Sequence, residues 1–162
     1  MTGGTEIERK FLLHGLPPQL AFARRERIRQ GYIALDGDTE VRVRISSKGS
    51  RLTIKHGRGA MRVEEELALD DRQAESLWKL TEGRRLEKTR RTMRVHGVEV
   101  EVEVDEYSGQ LDGLVVAEVE FPDEDAALDF TAPAWFEREL TGDEAYSNRG
   151  LASDGLPPAG RS

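Results

Sequence analysis

The stretch "VEVEVEVDEY" (98–107) alternates without a break, with Val98, Val100, Val102 and Val104 on one side and Glu99, Glu101, Glu103 and Asp105 on the other. A repeat of two is the side-chain period of a β-strand, where successive residues point to opposite faces of a sheet. One face is purely aliphatic and the other is purely anionic. A strand on an ordinary solvated surface carries mixed polar residues outward, so a row of four carboxylates asks for a cause.

The same period recurs on both sides of that stretch. "VVAEVEF" (115–121) sets Ala117, Val119 and Phe121 against Glu118 and Glu120. "TEIERKFLL" (5–13) sets Ile7, Arg9 and Phe11 against Glu6, Glu8 and Lys10. "TEVRVRIS" (39–46) opposes Val41, Val43 and Ile45 to Arg42 and Arg44, and "RLTIKHG" (51–57) opposes Leu52 and Ile54 to Thr53 and Lys55. In "MRVEEEL" (61–67), Arg62, Glu64 and Glu66 share a side; in "LEKTRRTM" (86–93), Lys88, Arg90 and Thr92 do. Turn-forming clusters separate these runs: "DGD" (36–38), "SSKGS" (46–50), "HGRG" (56–59), "HG" (96–97) and "SGQLDG" (108–113). Helices are fewer. Asp caps and Gly83 bracket one at 70–83, Pro17 and Gly31 bracket another at 17–31, and short ones are expected at 123–130 and 133–140. The pattern predicts a mostly antiparallel β domain of seven or eight strands, with helices covering its apolar face.

The 162 residues suit one domain with a sizeable core, expected over 1–152, with 153–162 as a flexible tail. With 37% hydrophobic and 34% charged residues the chain is polar, yet far from a disordered composition. A net charge of -7 argues against an extended nucleic-acid footprint, which needs basic surface. Cysteine is absent, which removes disulfides, thiolate metal sites and thiol nucleophiles. No apolar run approaches the ~18 residues of a membrane span. No membrane contact and a cytoplasmic location are therefore expected; monomer and homodimer both stay open.

The charges are sorted as well as abundant. Glu6/Glu8, Glu101/Glu103/Asp105 and Glu118/Glu120 make acidic strands, whereas Arg42/Arg44 and Lys88/Arg90 make basic ones. Like charges held together cost repulsion and desolvation, so the arrangement is best explained by a charged ligand. Paired carboxylates suit a hard divalent cation such as Mg²⁺ or Mn²⁺, and Arg and Lys suit a polyanion. A carboxylate-held metal beside a cationic cradle is the equipment of phosphoryl chemistry, where positioning and charge stabilisation do most of the catalysis. Other candidates carry less. His14, His56 and His96 lie near turns without metal-ligand spacing, Ser108 lacks a nucleophile elbow, and Trp78 and Trp135 read as helical core residues.

Taken together, "EIERK", "VRVRI", "LTIK", "RVEEEL", "EKTR", "VEVDEYSG", "GLVVAEVEF" and the closing "ELTGDEAYSNRGLA" resemble the CYTH superfamily, the triphosphate tunnel metalloenzymes. The resemblance runs from about residue 5 to 152. It implies an eight-stranded antiparallel β-barrel, a tunnel whose inward charges bind a small-molecule triphosphate and a divalent metal, with helices outside. By that resemblance Glu6, Glu8, Glu118 and Glu120 would hold Mg²⁺ or Mn²⁺. Lys10, Arg42, Arg44, Lys55, Lys88 and Arg90 would contact the triphosphate. Arg62, Glu64, Glu66, Glu103 and Asp105 would support them. Tyr32 and Lys55 would form a dyad that activates the attacking water. A lysine among other cations should lose its proton more easily, which suits that role. The expected activity is metal-dependent hydrolysis of inorganic triphosphate or a related compound. The alternatives are a class IV-type adenylate cyclase, and a non-catalytic polyphosphate- or nucleotide-binding module.

Overall fold

A computed structural model describes residues 7–57, 61–94 and 100–158. The expectations for Glu6, His96, Val98 and Glu99 lie outside the described residues. In chain order the elements are β1 (Ile7–Leu13), β2 (Arg25–Asp36), β3 (Thr39–Ser46), β4 (Gly49–His56), β5 (Val63–Leu69), α1 (Asp71–Trp78), β6 (Arg85–Arg94), β7 (Glu101–Ser108), β8 (Val115–Phe121), α2 (Glu124–Asp129), β9 (Phe136–Glu139) and α3 (Asn148–Asp154). The chain divides into two compact units. The first comprises 1–5, 27–87 and 144–162; the second comprises 6–26 and 88–143.

In the first unit β2, β3, β4 and β5 form an antiparallel meander. Two-residue loops make its first two turns, because Asp36 pairs with Thr39 and Ser46 with Gly49. Gly37 supplies a φ of 55° in the first of them, a value that side chains with a Cβ seldom adopt. The apolar alternation of β3 and β4 is covered by α1. That helix starts where the aspartates predicted it: the Asp70 carboxylate accepts from the Gln73 amide while the Gln73 side chain accepts from the Asp70 amide. Such a reciprocal cap satisfies two otherwise unpaired amides of the first turn.

The expected helix over 17–31 does not form. Only Pro18–Leu20 coil into a short 3₁₀ turn, and β2 takes the rest. Gly31 reads as a helix stop, but it sits in mid-strand for a packing reason. A Cβ placed there would lie 2.6 Å from Thr81 Cβ, and Thr81 is completely buried. Gly31→Ala is therefore expected to destabilise the chain by about 1–3 kcal/mol through overpacking, measured as a fall in the urea unfolding midpoint. An unchanged midpoint would mean that Thr81 can retreat freely. Trp78 ends α1 yet is no core residue: the guanidinium carbons of Arg29 and Arg85 stand 5.0 and 4.7 Å from its ring centre.

In the second unit β1 lies between β8 and β9, and β7 pairs with β8, all antiparallel. The aliphatic faces read from the sequence meet here in one core: Phe11, Leu13, Val102, Val104, Ala117, Val119 and Phe121, closed by Phe130 and Phe136. Its aromatic rings pack tilted or edge-on, with Phe11 and Phe136 centroids 4.7 Å apart. Arg9 falls on this apolar side, as its parity requires, and is neutralised locally. Its fork grips both oxygens of Glu139, and Nη1 donates to the carbonyls of Ala127 and Phe130. The expected helix over 133–140 is instead the short strand β9, preceded by Trp135 outside any helix. "FERE" carries its own period-two alternation, and pairing with the edge of β1 outweighs its helix-forming glutamates and arginine. With β9, the described residues contain nine strands rather than the expected eight. The expectation of a mostly β, antiparallel fold with few helices holds.

Candidate functional site

The charged parity of each unit forms a continuous face. In the first unit Tyr32 pairs with Arg42 and Gln30 with Arg44 across β2 and β3. Arg42 then opposes Thr53, and Glu40 opposes Lys55, across β3 and β4. Lys55 opposes Glu64, and Thr53 opposes Glu66, across β4 and β5. Register alone thus brings Tyr32, Arg42, Arg44, Lys55, Glu64 and Glu66 onto one side. The Lys55 ammonium lies 3.8 Å from a Glu64 oxygen, Arg62 reaches Glu40 at 3.9 Å, and Glu66 takes Arg51 at 3.3 Å.

Lys55 is mostly buried among these groups. Burial lowers its pKa from the ordinary lysine value, Arg42 and Arg62 lower it further, and Glu64 and Glu40 oppose them. Burial raises the Tyr32 hydroxyl, against the pull of Arg42 and Arg44. Tyr32 takes its hydrogen bond from Gln30 at 3.0 Å rather than from Lys55, and in the register Tyr32 faces Arg42 whereas Lys55 faces Glu40. The Lys55 shift has a measurable consequence. Between its folded value and the unfolded value near ~10.4, the unfolded chain binds more protons, so stability rises with pH in that window. Lys55→Met should abolish that alkaline rise. The check is the wild-type-minus-variant difference in urea midpoint from about pH 8 to 11; a flat difference would show an ordinary ammonium.

In the second unit the face is organised around a buried carboxylate. Asp105 is 1% exposed and Lys88 is 2% exposed. Asp105 Oδ2 accepts from Lys88 Nζ at 2.7 Å, and Arg90 donates to both Asp105 oxygens at 2.8 Å. Burial by itself would raise the Asp105 carboxyl, but Lys88 and Arg90 together hold it well below the usual carboxylate range. Arg90 also contacts Glu103 and lies 3.7 Å from Glu118. Burial pushes Arg90 down, yet Asp105, Glu103 and Glu118 outweigh it and bind its proton more firmly. Burial pushes the Glu103 carboxyl up; Arg90 opposes that and Asp105 adds to it. Lys10 faces Glu118 across β1 and β8, with the ammonium 3.9 Å from the carboxylate.

Two strand positions away, Glu8 stands directly opposite Glu120, and both are exposed. Among the described residues no group of three or more His, Cys, Asp or Glu side chains makes a ready cation site. A facing pair of hard oxygen donors nonetheless suits Mg²⁺ or Mn²⁺. Mg²⁺ in particular keeps several waters and takes one or two carboxylates together with substrate oxygens. Glu118, shared between Lys10 and Arg90, is the more committed of the two acids on β8. Gln30 escapes sequence reasoning because Pro17 and Gly31 bracket its segment like a helix. The alternation of Ile28, Gln30 and Tyr32 against Arg27 and Arg29 carries the strand signal that would have put it on the same face as Tyr32.

A family model described as the CYTH domain matches residues 4–148. The chain is 42% identical over 149 residues to an inorganic triphosphatase of Nitrosomonas europaea, covering 91% of this chain and 97% of that one. It is 40% identical over 153 residues to an inorganic triphosphatase of Acetivibrio thermocellus, covering 93% and 95%. The crystal structure of the inorganic triphosphatase NE1496 superposes with a TM-score of 0.77 at 37% identity, covering 95% of this chain and 98% of that one.

Proposed function

The chain belongs to the CYTH domain family, and on that footing we propose that it is an inorganic triphosphatase. It is a hydrolase of phosphoanhydride bonds: water attacks a terminal phosphorus of the triphosphate, the bridging P–O bond breaks, pyrophosphate leaves and the attacked group becomes inorganic phosphate. The observation that carries the reading is the cationic face of β3 and β4 in a chain of net charge -7. There Arg42, Arg44 and the partly buried Lys55 gather on one side. Anionic oxygens are the ligand that relieves such crowding.

We assign roles residue by residue. In the first unit Arg42 and Arg44 bind phosphate oxygens. Lys55, whose proton is loosened, accepts one from water with Tyr32 as its companion. Glu64 orients Lys55, while Arg62 on Glu40 and Glu66 on Arg51 support the same face. In the second unit Lys10 and Arg90 bind phosphate oxygens. Lys88, expected as a triphosphate contact, is instead buried with its ammonium on Asp105, so we give it a supporting part: with Glu103 it keeps Arg90 aimed. Triphosphatases of this family generally need a divalent metal, and Glu8 and Glu120 would hold it, with Glu6 and Glu118 as the further donors. Bound Mg²⁺ or Mn²⁺ would neutralise charge developing on the phosphate oxygens. The working domain is proposed as 1–152, with 153–162 as a tail. A cytoplasmic location accords with the cysteine-free composition. Among the described residues no helix is long and apolar enough to cross a membrane.

The test incubates the purified chain with tripolyphosphate, ATP and thiamine triphosphate under Mg²⁺ or Mn²⁺, and assays phosphate, pyrophosphate and cyclic AMP together. Metal-dependent phosphate release from tripolyphosphate is expected. Cyclic AMP appearing with pyrophosphate would replace the reading by a cyclase, and binding without turnover would leave only a polyphosphate-binding module.

A further inference from the structure

We propose that Gln30 is a positioning residue that couples the Arg44 guanidinium to the Tyr32 hydroxyl and sets the direction in which that hydroxyl points its hydrogen. The inference rests on the triphosphatase reading and assigns a role to a residue that the charged pattern does not mark. Gln30 is completely buried, and both ends of its amide are used. Its carbonyl oxygen accepts from Arg44 Nε at 2.8 Å, and its amide nitrogen donates to the Tyr32 oxygen at 3.0 Å.

The orientation of that amide is fixed by chemistry. A guanidinium can only donate, so only the carbonyl oxygen of Gln30 can face Arg44. The NH₂ group is then left for Tyr32, whose oxygen must accept. A phenol that accepts along one direction keeps its own hydrogen for another acceptor. The Tyr32 proton is thereby directed away from Gln30. Tyr32 is 1% exposed, so water does not compete for this arrangement. The charged groups that act on Tyr32 are Arg42, Arg44 and Glu40 on β3. The register holds the three residues in place: Gln30 opposes Arg44, and Tyr32 opposes Arg42 on the same pair of strands. Glutamate would fit the same space, but as a carboxylate it can only accept. It would keep Arg44 in place while forcing Tyr32 to donate backward, toward β2.

Two substitutions separate the two functions of the amide. Gln30→Leu removes both hydrogen bonds. It is expected to raise KM for tripolyphosphate, and to weaken tripolyphosphate binding measured by calorimetry without metal, by about tenfold or more. Gln30→Glu retains the contact to Arg44. Its KM and binding should stay within about threefold of wild type, while kcat falls by about tenfold or more as the Tyr32 proton is turned away. In a Tyr32→Phe background Gln30→Glu should no longer lower kcat. Should Gln30→Leu fail to fold by circular dichroism, Gln30→Met removes the same bonds with an unbranched side chain. Equal losses in both variants, wild-type KM and binding in the apolar variant, or an undiminished kcat in Gln30→Glu would each overturn the coupling. A wild-type chain that binds tripolyphosphate without hydrolysing it would overturn the functional reading instead, and the binding comparison would still decide whether Gln30 places Arg44.

Discussion

Asp105→Ala is expected to destabilise the folded chain by about 3–5 kcal/mol, the cost of leaving a buried charge without its counter-charge. The carboxylate sets a full opposite charge against the fully buried Lys88 ammonium, and it also takes the Arg90 fork. Removing it leaves the buried ammonium without this carboxylate, with the Tyr107 ring 5.5 Å away as partial compensation. Urea unfolding of the variant against wild type measures the loss, and a change under about 1 kcal/mol would mean that Lys88 reaches water easily. A pH effect accompanies it. The Asp105 pKa is depressed in the fold, so its contribution is fully present above the unfolded carboxylate value of ~3.9 and fades as pH falls toward the folded value. Wild type should therefore lose stability on acidification below about pH 4, and Asp105→Ala should lose less over the same range.

Glu8→Ala should leave the circular-dichroism spectrum and the unfolding midpoint near wild type, because Glu8 is exposed, while removing metal-dependent phosphate release. Partners that merely orient a metal ligand already cost about 10–100-fold when mutated, so loss of the ligand itself should cost at least about 100-fold. The Mg²⁺ concentration for half-maximal rate should rise, and high Mg²⁺ should restore part of the activity. Retained turnover at unchanged Mg²⁺ dependence would remove Glu8 from the metal. Glu120→Ala should behave alike, since the two carboxylates face each other across β1 and β8.

These two expectations draw on different kinds of knowledge. Glu8, Glu118, Glu120, Glu103 and Asp105 are legible from alternation alone, because a strand's parity assigns every side chain to a face once one residue is placed. The turns were equally legible: "DGD" and "SSKGS" name the tight loops that fix the β2/β3 and β3/β4 registers. Two segments misled. In 17–31, Pro and Gly look like helix punctuation, and in 133–140 the residues favour a helix. In both cases pairing with a neighbouring strand overrides local preference, as tertiary context routinely does for short segments.

Alternation determined which residues share a face, and the order of charged motifs determined the family. Neither could say which charges are spent on one another. Asp105 and Glu120 both fall on the charged side of their strands and share the same chemistry, yet one is buried beneath two cations and the other is exposed opposite Glu8. Nor could they single out Gln30, a neutral residue whose importance comes from lying between Arg44 and Tyr32. Period and type are properties of the chain read one residue at a time. Burial and partnership depend on residues 14 to 130 positions away, such as Arg44 for Gln30 and Glu139 for Arg9, and only the folded structure brings those together.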